Sequence, residues 1–116
     1  MGPRWGIVGS VSGGLEERLA KLREGYAAKM GTKIDALEAA TRDVVREGRA
    51  EDIERLWGLA HKLAGTAGSY GFEKLGEVVH EMEDLVAPFR ASGAPPRPVC
   101  DGLALLMDQA RTLAEP

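Results

Sequence analysis

The chain has two histidines, and each keeps company that bears on chemistry. His61 lies within LWGLAHKLAGTAGSYGF, residues 56–72, with Gly58 three before it, Gly65 four after it and Gly68 seven after it. On a helix those offsets are the surface neighbours of the histidine. Each glycine inside a helix costs roughly 1 kcal/mol relative to alanine, so a helix that keeps three around one imidazole gives up stability for access to the ring. With ~100° per residue and Ala60 set toward the core, Ile53, Leu56, Leu63 and Ala67 fall within about 60° of it. His61 then lies about 100° round, on the shoulder between core and solvent, with Gly58, Gly65 and Gly68 at roughly 160°, 140° and 80°. An imidazole so exposed is a competent nucleophile near neutral pH, since its unperturbed pKa is about 6.5. The plainer alternative is a solvent-edge histidine whose glycines serve close helix packing.

The second histidine, His80, stands three residues before Glu83 and so shares a helix face with it, and Gly76 joins that face. Here too a plain reading exists: an ordinary solvent carboxylate beside a boundary histidine. Glu77 and His80 also form a Glu-x-x-His, with Glu81, Glu83 and Asp84 nearby. A di-metal bundle needs a second such motif and two further carboxylates on other helices. The sequence has no second copy, so no metal ligands are assigned and a metal-binding bundle stays only as the remoter alternative. Ser69 and Thr66 have no His–carboxylate partners in sequence, and turn or cap roles account for them.

The elements that must carry these residues are helical. Leu15, Leu19, Leu22 and Tyr26 repeat at the 4, 3, 4 spacing of one helix face. Gly31 interrupts, Thr32 is placed to cap with Asp35 three on, and Ile34, Leu37, Thr41, Val44 and Val45 form a second stripe up to Gly48. Whether these are two helices or one bent helix the spacing leaves open. The next helix starts near Ala50, with Glu51 and Asp52 at its positive end, and closes at Gly71, suited to a left-handed cap. Another runs from about Phe72 to Arg90, with Pro88 bending or shortening its last turn. ASGAPPRP is a linker by composition, and Val99, Leu103, Leu106, Ala110 and Leu113 mark a last helix. No useful stretch alternates with period two. The fold expected is all-α: an antiparallel four-helix bundle over residues 15–116, with an extra N-terminal helix or arm. Residues 1–14, glycine-rich and aperiodic, read as a flexible arm. Their glycines make neither G-x-G-x-x-G nor G-K-[ST].

The totals narrow the function. A chain of 116 residues with 44% hydrophobic content supports one core. A net charge of −3 and pI near 5.4 argue against nucleic acid as a partner. Cys100 alone cannot form an internal disulfide. No apolar run approaches the ~18 residues of a membrane span, and the first residues lack a signal peptide's apolar core. A cytoplasmic protein without membrane partners is expected.

AHKLAGTAGSYGF, residues 60–72, resembles the signature of histidine-containing phosphotransfer (HPt) domains of bacterial two-component signalling. That pattern has an Ala-His pair, an apolar residue two after the histidine, glycine four after it, small residues, and glycine ten after it. Ala60–His61, Leu63, Gly65, TAGS and Gly71 stand at those places. The resemblance continues into the helices before and after, and leaves out residues 1–14. It implies a four-helix bundle whose exposed histidine carries a phosphoryl group to or from an aspartate of a receiver domain, or takes it from a histidine kinase. His61 matches the phosphoacceptor and Gly65 the glycine that leaves room for the phosphoryl group. His80 and Glu83 match positions of the chemotaxis-kinase phosphotransfer domains that face the phosphoacceptor.

One departure stands out: many members carry lysine three after the histidine, where this chain has Ala64. Lys62, next to His61, is a partial substitute on a different bearing. The implied chemistry is attack by Nε2 of His61 while Nδ1–H donates to Glu83 or to a backbone carbonyl. The chain then has no cofactor of its own and no independent turnover, Mg²⁺ coming with the receiver. The alternative within the family is a docking module that binds a receiver or kinase without accepting phosphate.

Overall fold

The computed structural model describes residues 2–115, with side chains described for residues 14–115. Four helices follow one another: α1, Gly2–Arg46; α2, Ala50–Thr66; α3, Glu73–Val86; and α4, Arg97–Ala114. Short 3₁₀ turns follow α2 at Ala67–Tyr70 and α3 at Ala87–Phe89. No strand occurs among the described residues, so the expected all-α class holds.

Apolar residues at helical spacing face one core. Met30, Ile34, Leu37 and Val44 come from α1, and Ile53, Leu56, Ala60 and Leu63 from α2. Leu75, Val79, Met82 and Val86 come from α3, and Leu103, Met107 and Ala110 from α4. Thr41 is buried among them because its hydroxyl donates to the Leu37 carbonyl at 2.8 Å, which satisfies the group inside the helix. Arg111 of α4 pins α1 through Asp35 at 2.9 Å and Glu38 at 3.2 Å. The connections also lock together: the Ala94 N–H donates to the Gly48 carbonyl at 2.6 Å. Gly93, at φ +65°, lies so close to the start of α2 that a Cβ there would stand 2.7 Å from the Ala50 nitrogen.

Several expectations need correction. The two front segments are one helix, continuous through Gly31. Thr32 is therefore no cap; its hydroxyl donates to the Ala28 carbonyl one turn back. Val45 lies outside the core stripe and is exposed. The arm expected over residues 1–14 falls on residues 1–13, whose side chains lie outside the described residues; in the backbone α1 begins at Gly2. After Thr66 the chain tightens to 3₁₀, so Gly68 is no longer on an α-helical surface and its 100°-per-residue bearing lapses. Phe72 is the residue preceding α3, and Pro88 falls in the 3₁₀ turn that ends it. Gly71 closes the second segment at φ +88°, in the left-handed region that glycine enters at no steric cost. Among the described residues, no helix is long and apolar enough to cross a membrane.

Candidate functional site

The site forms where α2 and α3 meet side by side. At Gly76 of α3 a Cβ would already touch the Ala64 carbonyl oxygen and the Ala67 Cβ, each at 3.5 Å. The two helices lie close there, at a separation a methyl would meet in ordinary van der Waals contact. His61 and Glu83, 22 residues apart in sequence, thereby come together: His61 Nδ1 lies 3.2 Å from Glu83 Oε2. The imidazole side chain is 60% exposed, and the carboxylate only 13%. A carboxylate beside Nδ1 favours the tautomer with the proton on that nitrogen, which puts the free lone pair on Nε2.

His80 joins from the same helix as Glu83. Its Nδ1 is 3.7 Å from Glu83 Oε1 and its Nε2 is 3.4 Å from Asp84 Oδ2. Neither contact is a hydrogen bond, and the first, at 3.7 Å, is too long for one. His61, Ala64, Gly65, His80 and Glu83 line a depression of about 230 Å³. Ala64 thus takes part in the site as a small, half-buried wall, and no cation reaches the depression from its position. Lys62 is exposed and is not in the lining. It contributes its carbonyl, which accepts the Thr66 hydroxyl at 3.0 Å.

The glycines separate into two kinds. A Cβ built on Gly58, Gly65 or Gly68 meets nothing within 4 Å, so none of the three is required by packing within the chain. Gly76 differs from them in that a Cβ there would be in contact with Ala64 and Ala67. Of the three around His61, Gly65 borders the depression; Gly58 and Gly68 do not.

Three residues escaped the sequence reading. Trp57 stacks on the His61 ring with centroids 4.8 Å apart and planes 9° from parallel. The Arg90 guanidinium lies over the Trp57 ring at 3.6 Å, a favourable cation–π distance. Arg90 is held there by Glu54, to which Nε donates at 3.0 Å and Nη2 at 2.6 Å. That two-pronged pairing lowers the Glu54 carboxyl below its usual range and raises the Arg90 guanidinium. The signal for Trp57 was present, since it stands four residues before His61 on one helix face. Nothing in sequence announced Arg90.

His80, Glu83 and Asp84 also place ligand-type atoms within 4.8 Å of one another. All three come from one turn of α3, and Glu77, the first residue of the Glu-x-x-His, is not among them.

A family model described as Hpt domain matches residues 14–113 of the chain. Neither a curated protein nor a solved structure matches it.

Proposed function

Because the chain belongs to the Hpt domain family, whose members serve in histidine phosphotransfer, we propose that His61 is the residue phosphorylated and that it exchanges the phosphoryl group with a receiver-domain aspartate. The observation that carries this reading is the pair His61–Glu83: an exposed imidazole with Nδ1 held 3.2 Å from a largely covered carboxylate. In that tautomer Nε2 attacks the phosphorus of an aspartyl phosphate. The N–P bond forms as the P–O bond breaks, and the aspartate leaves with the electron pair as a carboxylate. Nε2 carries no proton to lose. The positive charge that develops on the ring is offset through Nδ1–H by Glu83, as a carboxylate does for metal-bound histidines.

Phosphoryl transfer asks mainly for positioning and charge stabilisation. This chain supplies the positioning: Trp57 covers one ring face, Glu83 fixes the ring's rotation, and the open flank at Gly65 admits a partner. In this reading the charge on the phosphoryl oxygens is met by the receiver, through its lysine and bound Mg²⁺. Ala64 leaves that task to the partner.

The test is transfer from a phosphorylated receiver or a kinase domain to the wild-type chain and to His61→Gln, with the label located by mass spectrometry. An acid-labile, alkali-stable phosphoryl group on His61, absent from the variant, is the expected result. Unlabelled wild-type protein that still binds the receiver would overturn transfer in favour of a docking module.

A further inference from the structure

Glu54, Trp57 and His61 stand three and four apart on one face of α2, so their side chains lie at successive turns of the helix. A fourth residue joins this row from outside. Arg90, at the end of the 3₁₀ turn after α3, reaches α2 on the Glu54 side, where its Nε and Nη2 donate to the two carboxylate oxygens at 3.0 and 2.6 Å. Its guanidinium lies 3.6 Å from the Trp57 ring centroid. His61 stacks on the same indole from the other side, with centroids 4.8 Å apart and planes 9° from parallel. The next place along the row is Gly65, where a Cβ would meet nothing within 4 Å. No side chain of α2 therefore backs the imidazole from that end, and its stacking restraint comes from Trp57.

The indole needs a stop of its own. It is only half-buried, and a tryptophan at a helix surface has more than one staggered rotamer open to it. Arg90 supplies the stop. The turn that carries it is fixed at both flanks: Pro88 lies within it, Phe89 packs on the core, and the Gly93 N–H donates to the Phe89 carbonyl at 2.8 Å. The two-pronged pairing with Glu54 fixes the plane of the guanidinium as well as its place. Glu54 also offsets that charge at the range of His61. Arg90 thus acts on the imidazole through the position of the indole and not through its own field.

We propose that Arg90, clamped by Glu54, is a positioning residue for His61: it holds the Trp57 indole against the imidazole and so keeps Nε2 presented to the donor. This deepens the reading of His61 as phosphoacceptor and rests on it. An ion pair that only tied the turn to α2 would change stability and leave the imidazole alone.

Two readouts on the full chain test the assignment. Proton NMR at alkaline pH, where an imidazole is neutral, follows the ring protons of His61, identified by their loss in His61→Gln. The indole ring current should hold them upfield in the wild type. Arg90→Ala should move them toward their positions in Trp57→Ala. It should also slow transfer to His61 roughly two- to fivefold, the loss expected of an exposed cation–π contact. Glu54→Ala should act in the same direction and add nothing to Arg90→Ala. Combined with Trp57→Ala, Arg90→Ala should alter neither the ring protons nor the rate, because the residue it acts through is gone. Circular dichroism checks that each variant folds. His61 protons that stay in place in folded Arg90→Ala or Glu54→Ala overturn the proposal. So does a loss of rate that persists undiminished in the Trp57→Ala background. Wild-type protein that takes no label would remove the phosphotransfer reading instead, and the ring protons would still decide whether Arg90 positions His61.

Discussion

Trp57 touches His61 over a ring face, and Glu83 touches it at one nitrogen; together they leave the imidazole little freedom except at Nε2. Stacking of this kind is worth about 0.5–1.5 kcal/mol. Trp57→Ala should therefore slow phosphorylation of His61 by roughly two- to tenfold, with the label still on His61. Trp57→Phe, which keeps a flat ring, should recover most of the rate. Stopped-flow transfer from a phosphorylated receiver measures both, and equal rates in the alanine variant and wild type would remove Trp57 from the positioning of the ring. At this scale the sequence was legible wherever offsets on one helix decide contact. It placed His61 on the shoulder of α2 and put His80 and Glu83 on one face. It passed over Trp57, although the offset of four was there. Arg90 was illegible: its place over Trp57 depends on how the 3₁₀ turn after α3 folds back on α2.

Between α2 and α3 the two kinds of glycine make opposite predictions. Gly65 faces open space, so Gly65→Gln should leave the bundle's unfolding midpoint nearly unchanged while slowing transfer at least about tenfold, through misplacement of the donor. Gly76 faces the Ala64 carbonyl and the Ala67 Cβ. Gly76→Leu should lose about 1–3 kcal/mol in urea unfolding, the usual cost of overpacking. A Gly65→Gln protein with full transfer, or a Gly76→Leu protein of wild-type stability, would break the distinction. The spacing treated Gly58, Gly65 and Gly68 alike, as candidates for either access or packing, and set Gly76 only on the face of His80 and Glu83; the family resemblance alone singled out Gly65. Only the approach of the second helix tells them apart, because a glycine's function is set by what stands where its side chain would be.

The whole molecule keeps the site and its support in different places. His61, Glu83 and the depression lie on the α2–α3 side, while α4 closes the core from behind and is tied to α1 by Arg111. Leu103 of α4 is fully buried, and Leu103→Ala should cost about 2–5 kcal/mol of stability. Since Leu103 is not among the residues lining the depression, the fraction of chains labelled on His61 should follow the fraction folded as urea is raised, in wild type and variant alike. Labelling lost from a fully folded Leu103→Ala protein would mean that the core adjusts the site as well as holding it. The outward stripe of α1 belongs to this scale too. Leu15, Leu19 and Leu22 have the same periodicity as the core residues that follow them, yet they lie beyond the reach of α2 and α4.

By itself the sequence determined the helical class, the left-handed stop at Gly71, the histidine with Gly58 and Gly65 on its helix, and most of the buried stripe. These are consequences of local geometry, fixed by a rotation of about 100° per residue and by which residues tolerate a left-handed backbone. Tertiary structure decided the rest. It joined the two front segments into one helix, turned Val45 and the front leucines outward, took Gly68 off the α-helix, and left Lys62 outside the depression that Ala64 helps to line. It also set Glu83 against His61 and Arg90 over Trp57. Each of these depends on where a second helix lies relative to the first, and a repeat along one helix carries no information about that position.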